Sequence, residues 1–158
     1  NIGYGAAIKT GFKKSKCDCI FAIDGDGEYD VNILPDLLKK LEKSDLVITK
    51  RYKKKYNTWR HIVSWTYNAI LRFLFNTPYR DISSGSRLVS KKLIKKIEID
   101  TNSPFLGAEL TIKANHKGYR VSEHGIFYYP TGFRSGSSVS FMNIILTIRD
   151  MINLYFKL

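Results

Sequence analysis

The chain contains the stretch Ile20-Phe21-Ala22-Ile23-Asp24-Gly25-Asp26-Gly27-Glu28, in which an apolar run ends in two aspartates. Residues 19–23 predict a buried strand, and the end of such a strand lies at the sheet edge where α/β folds bind ligands. Asp24 and Asp26 point to the same side of an extended chain, and the glycines permit a turn. Paired carboxylates favour a hard cation, Mg²⁺ or Mn²⁺, which usually also binds substrate phosphates.

Two other kinds of loop also contain Asp and Gly in this pattern. A solvated acidic turn also contains Asp and Gly, so it stays open. A calcium loop of the EF-hand kind is excluded, because Tyr29 stands at its sixth position and Pro35 at its twelfth. Glu28 adds a third carboxylate that could bind the metal or a metal-bound water.

Length and composition indicate one globular domain with an anionic partner. The chain has 158 residues, 44% of them hydrophobic, and a net charge of +12. This excess favours nucleic acid, an anionic membrane surface or phosphorylated substrates. The two cysteines, Cys17 and Cys19, favour structural burial over a zinc site and fit reducing surroundings. No secretory signal or clear transmembrane span is visible, and we expect an upstream portion to be missing, since no strand precedes the first helix.

Helical and strand patterns alternate along the chain, which predicts an α/β sheet domain. Asp30, Ser90 and Gly118 provide helix start and stop signals. We predict helices over residues 3–15, 31–43, 91–97, 105–117 and from about 139 to 158, and a long helix that Thr58 caps and that ends at about Phe75. We predict strands over residues 19–23, 45–49, the end of 81–89, and 119–129.

Two segments add candidate binding groups near the aspartates. Arg51 ends the second strand, where its guanidinium suits phosphate oxygens; the adjoining lysines are equally well explained as a solvated charge run. Residues 81–87 form a turn of small residues in which Asp81, Ser84 and Gly85 could bind a sugar or phosphate. An ordinary turn started by Asp81 is the alternative.

The last three candidates lie in the second half of the chain. Glu109 could be a general base, bind a sugar hydroxyl or complement the helix dipole. The loop 132–138 carries Arg134 and precedes a helix, so it could be an anion site and mobile lid, or a plain linker. Residues 139–158 predict an amphipathic helix that lies in a membrane interface, fits a partner groove or packs on the core of the domain. Arg149 and Asp150 argue that it does not span a bilayer.

Taken in order, these segments resemble glycosyltransferase family 2, most closely its polyprenyl-phosphate branch, of which dolichol-phosphate mannosyltransferase is typical. The matching residues are 1–7, 24–28, 45–51, 81–88, 109–110, 118–123 and 134–138. The resemblance implies the GT-A nucleotide-sugar fold, a Rossmann-like α/β fold, here without its first strands. It further implies a partial catalytic domain over 1–138 and a membrane-interfacial helix over 139–158.

The resemblance also implies roles for single residues. Asp24 and Asp26 match the DxD metal site, with Asp26 also catalytic, and Glu28 stands where the branch usually has Gln. Arg51 and Arg134 match arginines that hold the donor diphosphate and the acceptor phosphate. Acceptor contacts are implied for Arg60, Ser64 and Ser137, and relatives with sugar acceptors keep a catalytic base in the region of Glu109.

The function expected from the resemblance is metal-dependent, inverting transfer of a sugar from GDP-mannose or a UDP-hexose to a polyprenyl phosphate. The enzyme would act at the cytoplasmic face of the membrane with Mg²⁺ or Mn²⁺, and no nucleic-acid partner is expected. Three alternatives stay open. These are a family-2 transferase with a sugar or polysaccharide acceptor, a basic nucleic-acid-binding module, and a non-catalytic membrane-binding domain.

Overall fold

The computed structural model describes residues 3–52, 58–128 and 141–158, and within them a four-stranded mixed sheet. The strands are β1 (Cys19–Ala22), β2 (Leu46–Tyr52), β3 (Arg87–Ser90) and β4 (Val121–Phe127), in the order β1-β3-β2-β4. β3 runs antiparallel to both β1 and β2, whereas β2 and β4 are parallel. β1 and β2 therefore run in the same direction, and their carboxyl ends meet at one sheet edge although β3 separates them.

The helices between the strands confirm the predicted α/β class. They are α1 (Tyr4–Lys14), α2 (Leu34–Leu41), α3 (Thr58–Phe75), α4 (Lys91–Ile94), α5 (Leu106–His116) and α6 (Phe141–Lys157). α3 ends at Phe75 as predicted, and Thr58, the predicted cap, is its first helical residue. The predicted helix 31–43 begins instead as a 3₁₀ turn at Val31–Ile33, where the Asp30 side chain accepts a hydrogen bond from Asn32 N, and it ends at Leu41. The predicted helix 91–97 ends at Ile94.

The core lies on both faces of the sheet because strand side chains alternate. Leu46 and Ile48 of β2 point into the main core, to which α5 contributes Leu110. Val47 points to the other face, where it meets Leu37 of α2. All five side chains are at most 1% exposed. Burying one such side chain stabilises the fold by roughly 1.5–3 kcal/mol.

β1 is less buried than predicted. Its four residues are all half-buried, because β1 lies at the end of the described sheet and is paired only with β3. The DGDG segment therefore follows an end strand with one side facing outward, whereas the sequence predicted a fully buried strand.

α6 contacts the core along a narrow face and leaves most of its apolar surface exposed. Leu154 is buried, with 3% of its surface exposed. The ring of Tyr155 packs edge-on against the ring of Phe75 of α3, with 6.2 Å between the ring centroids. Phe141 and Phe156 remain 79% and 82% exposed. None of the helices in the described part of the chain is both long enough and apolar enough to cross a membrane.

Candidate active site

Five of the predicted site residues, Asp24, Asp26, Glu28, Arg51 and Gly85, line one cavity at the carboxyl edge of β1 and β2. The cavity has a volume of about 480 Å³, and its walls include Asp24, Asp26, Arg51, Gly85 and Arg87. Asp24 follows β1, Arg51 lies near the end of β2, and the loop 81–86 enters the same edge because it leads into β3. The backbone N–H of Asp24 donates to the carbonyl of Gly85 at 3.1 Å. The expectation that Arg51 and the aspartates share one edge is confirmed.

The two aspartates are held by hydrogen bonds from neighbouring groups. Tyr4 Oη donates to Asp24 Oδ1 at 3.1 Å, and Glu28 N donates to Asp26 Oδ1 at 3.1 Å. Burial, followed by the charge of Asp24, raises the pKa of the Tyr4 hydroxyl to about 12, so this hydroxyl stays protonated as a donor at neutral pH. A Cβ at Gly85 would lie 1.8 Å from Asp24 Oδ2, so only glycine fits beside the carboxylate.

Glu28, predicted to bind the metal or a metal-bound water, lies in the wall of the same cavity as the two aspartates. Its side chain is buried, with 5% exposed, and its Oε2 accepts a hydrogen bond from the hydroxyl of Tyr128. Across residues 3–52, 58–128 and 141–158, no three His, Cys, Asp or Glu side chains are grouped so that they could hold a metal ion. The pair Asp24 and Asp26 still fits Mg²⁺ or Mn²⁺, because both supply oxygen ligands from a cavity wall and such ions take further ligands from phosphates and water.

Arg51 is oriented by a buried carboxylate. Its Nε donates to Asp81 Oδ2 and its Nη2 to Asp81 Oδ1, both at 2.7 Å, and its guanidinium lies 5.6 Å from the centroid of the Tyr128 ring. Asp81 is 2% exposed. A two-point pair of this kind holds a guanidinium in one plane.

Two of the three predicted sugar-binding residues make hydrogen bonds within the loop and its neighbours. Asp81 pairs with Arg51, and Ser84, which is 1% exposed, shares a 2.6 Å hydrogen bond with Thr49 Oγ1. Within the described residues neither side chain lines the cavity, and their predicted contacts with a sugar remain predictions. Gly85 does line it, with its N–H donating to Tyr29 Oη at 2.9 Å.

Glu109 lies in a different place from the aspartates. Its carboxylate accepts hydrogen bonds from Asp100 N at 2.8 Å, Thr101 N at 3.0 Å and Lys113 Nζ at 2.6 Å. It borders a separate cavity of about 840 Å³, next to α6. These contacts anchor the segment before α5 to its first turn. The predicted role as a base stays untested, while the contacts match the structural alternative.

The predicted acceptor residues are only partly covered by the structure. Arg134 and Ser137 lie outside the described residues, and so does the side chain of Arg60. Ser64 lies on α3, half-buried, and does not border the aspartate cavity as the described residues define it.

Among the site residues that sequence reasoning missed are Tyr4, Tyr128 and Arg87. Tyr4 and Arg87 stood in recognised segments but received no role, and Tyr128 contacts residues distant in sequence. Arg87 is 6% exposed; its Nη2 donates to the carbonyl of Ser84, and its Nη1 has no hydrogen-bond partner among the described residues. Burial lowers the pKa of its guanidinium. The signal in the sequence that could have identified Arg87 is a charged residue at the start of an apolar strand.

Comparison with known proteins decides to which protein family the chain belongs. The model of the family described as Glycosyl transferase family 2 matches residues 1–98. The chain belongs to this family. An uncharacterized glycosyltransferase of Mycobacterium tuberculosis is 30% identical over 157 residues, covering 94% of this chain and 70% of that protein. The polyprenol monophosphomannose synthase of Mycolicibacterium smegmatis is 29% identical over 133 residues, covering 77% of this chain and 50% of that protein.

The solved structures confirm the GT-A fold. Glucosyl-3-phosphoglycerate synthase from Mycobacterium tuberculosis superposes with a TM-score of 0.75 at 16% identity, covering 96% of this chain and 55% of that chain. The chain thus spans about half the length of the solved structures that it matches. The family and the fold together identify a glycosyltransferase, which favours the enzyme over the nucleic-acid-binding alternative.

Proposed function

We propose that this glycosyltransferase moves a sugar from a nucleotide-sugar to a polyprenyl phosphate, in a metal-dependent reaction that inverts the anomeric carbon. One observation carries the proposal: Asp24 and Asp26 share a cavity with the arginines Arg51 and Arg87 at one sheet edge. Carboxylates beside guanidinium groups suit a substrate whose phosphates bind both a cation and arginine.

The donor side rests on Asp24, Asp26 and Arg51. The two carboxylates would hold Mg²⁺ or Mn²⁺, which, when bound, neutralises charge on the departing nucleoside diphosphate. Arg51, fixed by Asp81, supplies positive charge to the same leaving group without rearranging. The structural relative glucosyl-3-phosphoglycerate synthase was solved with Mn²⁺ and UDP-glucose, which supports a metal and a nucleotide-sugar as the ligand classes.

The acceptor side rests on the chemistry that the cavity provides. A phosphate acceptor is already an anionic nucleophile, whereas a sugar hydroxyl needs a general base. Glu109, the predicted base, is bonded to two backbone N–H groups and Lys113 beside another cavity. This arrangement supports a phosphate acceptor, as does the name of the mycobacterial polyprenol monophosphomannose synthase.

We place the reaction at the cytoplasmic surface of a membrane. The exposed apolar face of α6, together with Trp65 and Phe73 of α3, which are 69% and 87% exposed, supports insertion into the lipid interface. The net charge of +12 supports attraction to anionic lipids.

Transfer to lipid tests the proposal. The protein is incubated with labelled GDP-mannose or UDP-glucose, polyprenyl phosphate and Mn²⁺ or Mg²⁺, and label extracted into organic solvent is counted. We expect organic label that requires the metal and the lipid phosphate. Nucleotide-sugar consumption only with added saccharides would overturn the lipid acceptor and favour a polymer-type transferase.

A further inference from the structure

Arg87 lies where β3 meets the amino-terminal turn of α5. It is the first residue of β3, paired with Ala22 of β1, and its guanidinium packs against Gly107 in the first turn of α5. A Cβ at Gly107 would lie 2.1 Å from Arg87 Nη2, so the absence of a side chain makes room for the guanidinium. Arg87, Gly107 and Asp24 line the same cavity.

This location concentrates positive charge. The amino-terminal end of a helix carries partial positive charge and favours anions. A buried guanidinium beside it is therefore unfavourable unless an anion joins them. Glu109 of the same turn faces the second cavity, where Lys113 lies 2.6 Å from it. Arg87 makes one hydrogen bond, to the carbonyl of Ser84, and its Nη1 is left without an acceptor within the described chain.

The charge of Asp24 favours a charged Arg87. Asp24 lines the same cavity, and its charge and that of Asp81 attract the Arg87 guanidinium. In the proposed function the Asp24 carboxylate is shared with a divalent cation, which adds two positive charges to the cavity. An anion from the substrate then restores the balance.

We propose that Arg87 and the first turn of α5 form an anion subsite that takes a phosphate oxygen of a substrate. The inference rests on the proposed function, because both substrates named there carry phosphate. The oxygen comes either from the donor diphosphate or from the acceptor phosphate. In either case Arg87 is a ligand-binding residue distinct from Arg51, whose Nε and Nη2 already contact Asp81.

Two variants and a control separate binding from folding. Arg87→Met keeps the length of the side chain and removes its charge. Gly107→Ala keeps the charge and displaces the guanidinium. Arg120→Met is the matched control, because the Arg120 side chain is exposed, borders β4 and forms a 3.8 Å ion pair with Asp45.

The measurements are thermal unfolding without ligand and titration with three probes: UDP with Mn²⁺, GDP with Mn²⁺, and a short-chain polyprenyl phosphate in detergent. For Arg87→Met we expect an unfolding temperature equal to or above that of the wild type, because an unpaired buried charge is removed. We expect the dissociation constant of one probe to rise about tenfold or more, the usual effect of losing a hydrogen bond to a charged group. Gly107→Ala should weaken binding of the same probe, and Arg120→Met should leave the binding of all three probes unchanged. The affected probe identifies the source of the phosphate.

Unchanged affinity of Arg87→Met for every probe that the wild type binds would overturn the subsite and leave the proposed function standing. A lower unfolding temperature with unchanged affinity in the folded protein would assign Arg87 to the structure of the 81–86 loop instead. If the wild type binds no probe, the proposed function fails and the subsite fails with it.

Discussion

The guanidinium of Arg51 donates two parallel hydrogen bonds of 2.7 Å to the carboxylate of Asp81, joining the end of β2 to the loop that enters β3. The Arg51 and Asp81 side chains are 12% and 2% exposed, so the pair is largely removed from water. Removing one partner from such a pair leaves a buried charge uncompensated.

Arg51→Met should therefore destabilise the fold by about 3–5 kcal/mol. The double variant Arg51→Met/Asp81→Leu should regain most of that stability, because both charges are gone, yet it should stay inactive if Arg51 contacts the donor. Urea unfolding and the transfer assay measure the two effects. An active double variant would show that Arg51 serves only to hold the loop.

Glu28 and Tyr128 permit a second prediction. Glu28→Gln should leave the affinity for Mn²⁺ within about twofold of the wild type, because Glu28 Oε2 is bonded to Tyr128 Oη and the Gln amide oxygen can still accept that hydrogen bond. Tyr128→Phe should lower the free energy of unfolding by about 1–3 kcal/mol, since a buried carboxylate loses its donor. Metal titration and urea unfolding measure these effects. A large loss of Mn²⁺ affinity in Glu28→Gln would assign Glu28 to the metal site.

The sequence predicted the elements and the segments of the site better than it predicted their partners. The helix over 58–75, the Asp30 and Ser90 caps and the stop at Gly118 depend on local signals, and the structure has all of them. The position of β3 between β1 and β2 depends on long-range pairing that no local pattern encodes. The contact of Tyr128 with Glu28, 100 residues apart, could not be predicted for the same reason.

Side-chain roles were the hardest to predict because the same residue type serves binding and structure. Asp81 and Glu109 were assigned to a sugar and to catalysis from their place in turns and helix starts. Both side chains are 2% exposed. Asp81 is bonded to Arg51 and Glu109 to backbone N–H groups, and only the folded chain reveals these contacts. Conversely, the sequence predicted no role for Arg87, because only the packing of the folded chain shows that its Nη1 lacks a hydrogen-bond partner among the described residues.

Glu109→Gln tests the acceptor class. Transfer to polyprenyl phosphate should stay within about threefold of the wild type, because a phosphate nucleophile needs no base. The free energy of unfolding should fall by about 1–3 kcal/mol, since the contact with Lys113 loses its charge. A rate loss of about a hundredfold or more at unchanged stability would make Glu109 a base and favour a sugar acceptor.

The exposed face of α6 predicts binding to lipid vesicles. Phe141→Ser and Phe156→Ser should each weaken binding to vesicles with anionic lipids by about tenfold, the cost of keeping one large apolar side chain out of the lipid. The unfolding temperature should not change, because both side chains are exposed in the folded chain. Asn153→Ser, also on α6, serves as the control. Vesicle flotation checks the prediction, and equal flotation of all variants would contradict an interfacial role for α6.

The most direct test of the central claim, that Asp24 and Asp26 form the catalytic edge of a lipid-phosphate transferase, compares two acidic residues four positions apart. Asp26→Asn removes a predicted metal ligand. Asp30→Asn removes an equal charge from an exposed cap and retains the capping hydrogen bond to Asn32 N. The assay contains labelled donor, Mn²⁺ and polyprenyl phosphate. We predict that Asp30→Asn transfers label into the organic phase as the wild type does. The transfer rate of Asp26→Asn should be lower by about a hundredfold or more. Full transfer by Asp26→Asn, or transfer by the wild type without any divalent metal, would contradict the account.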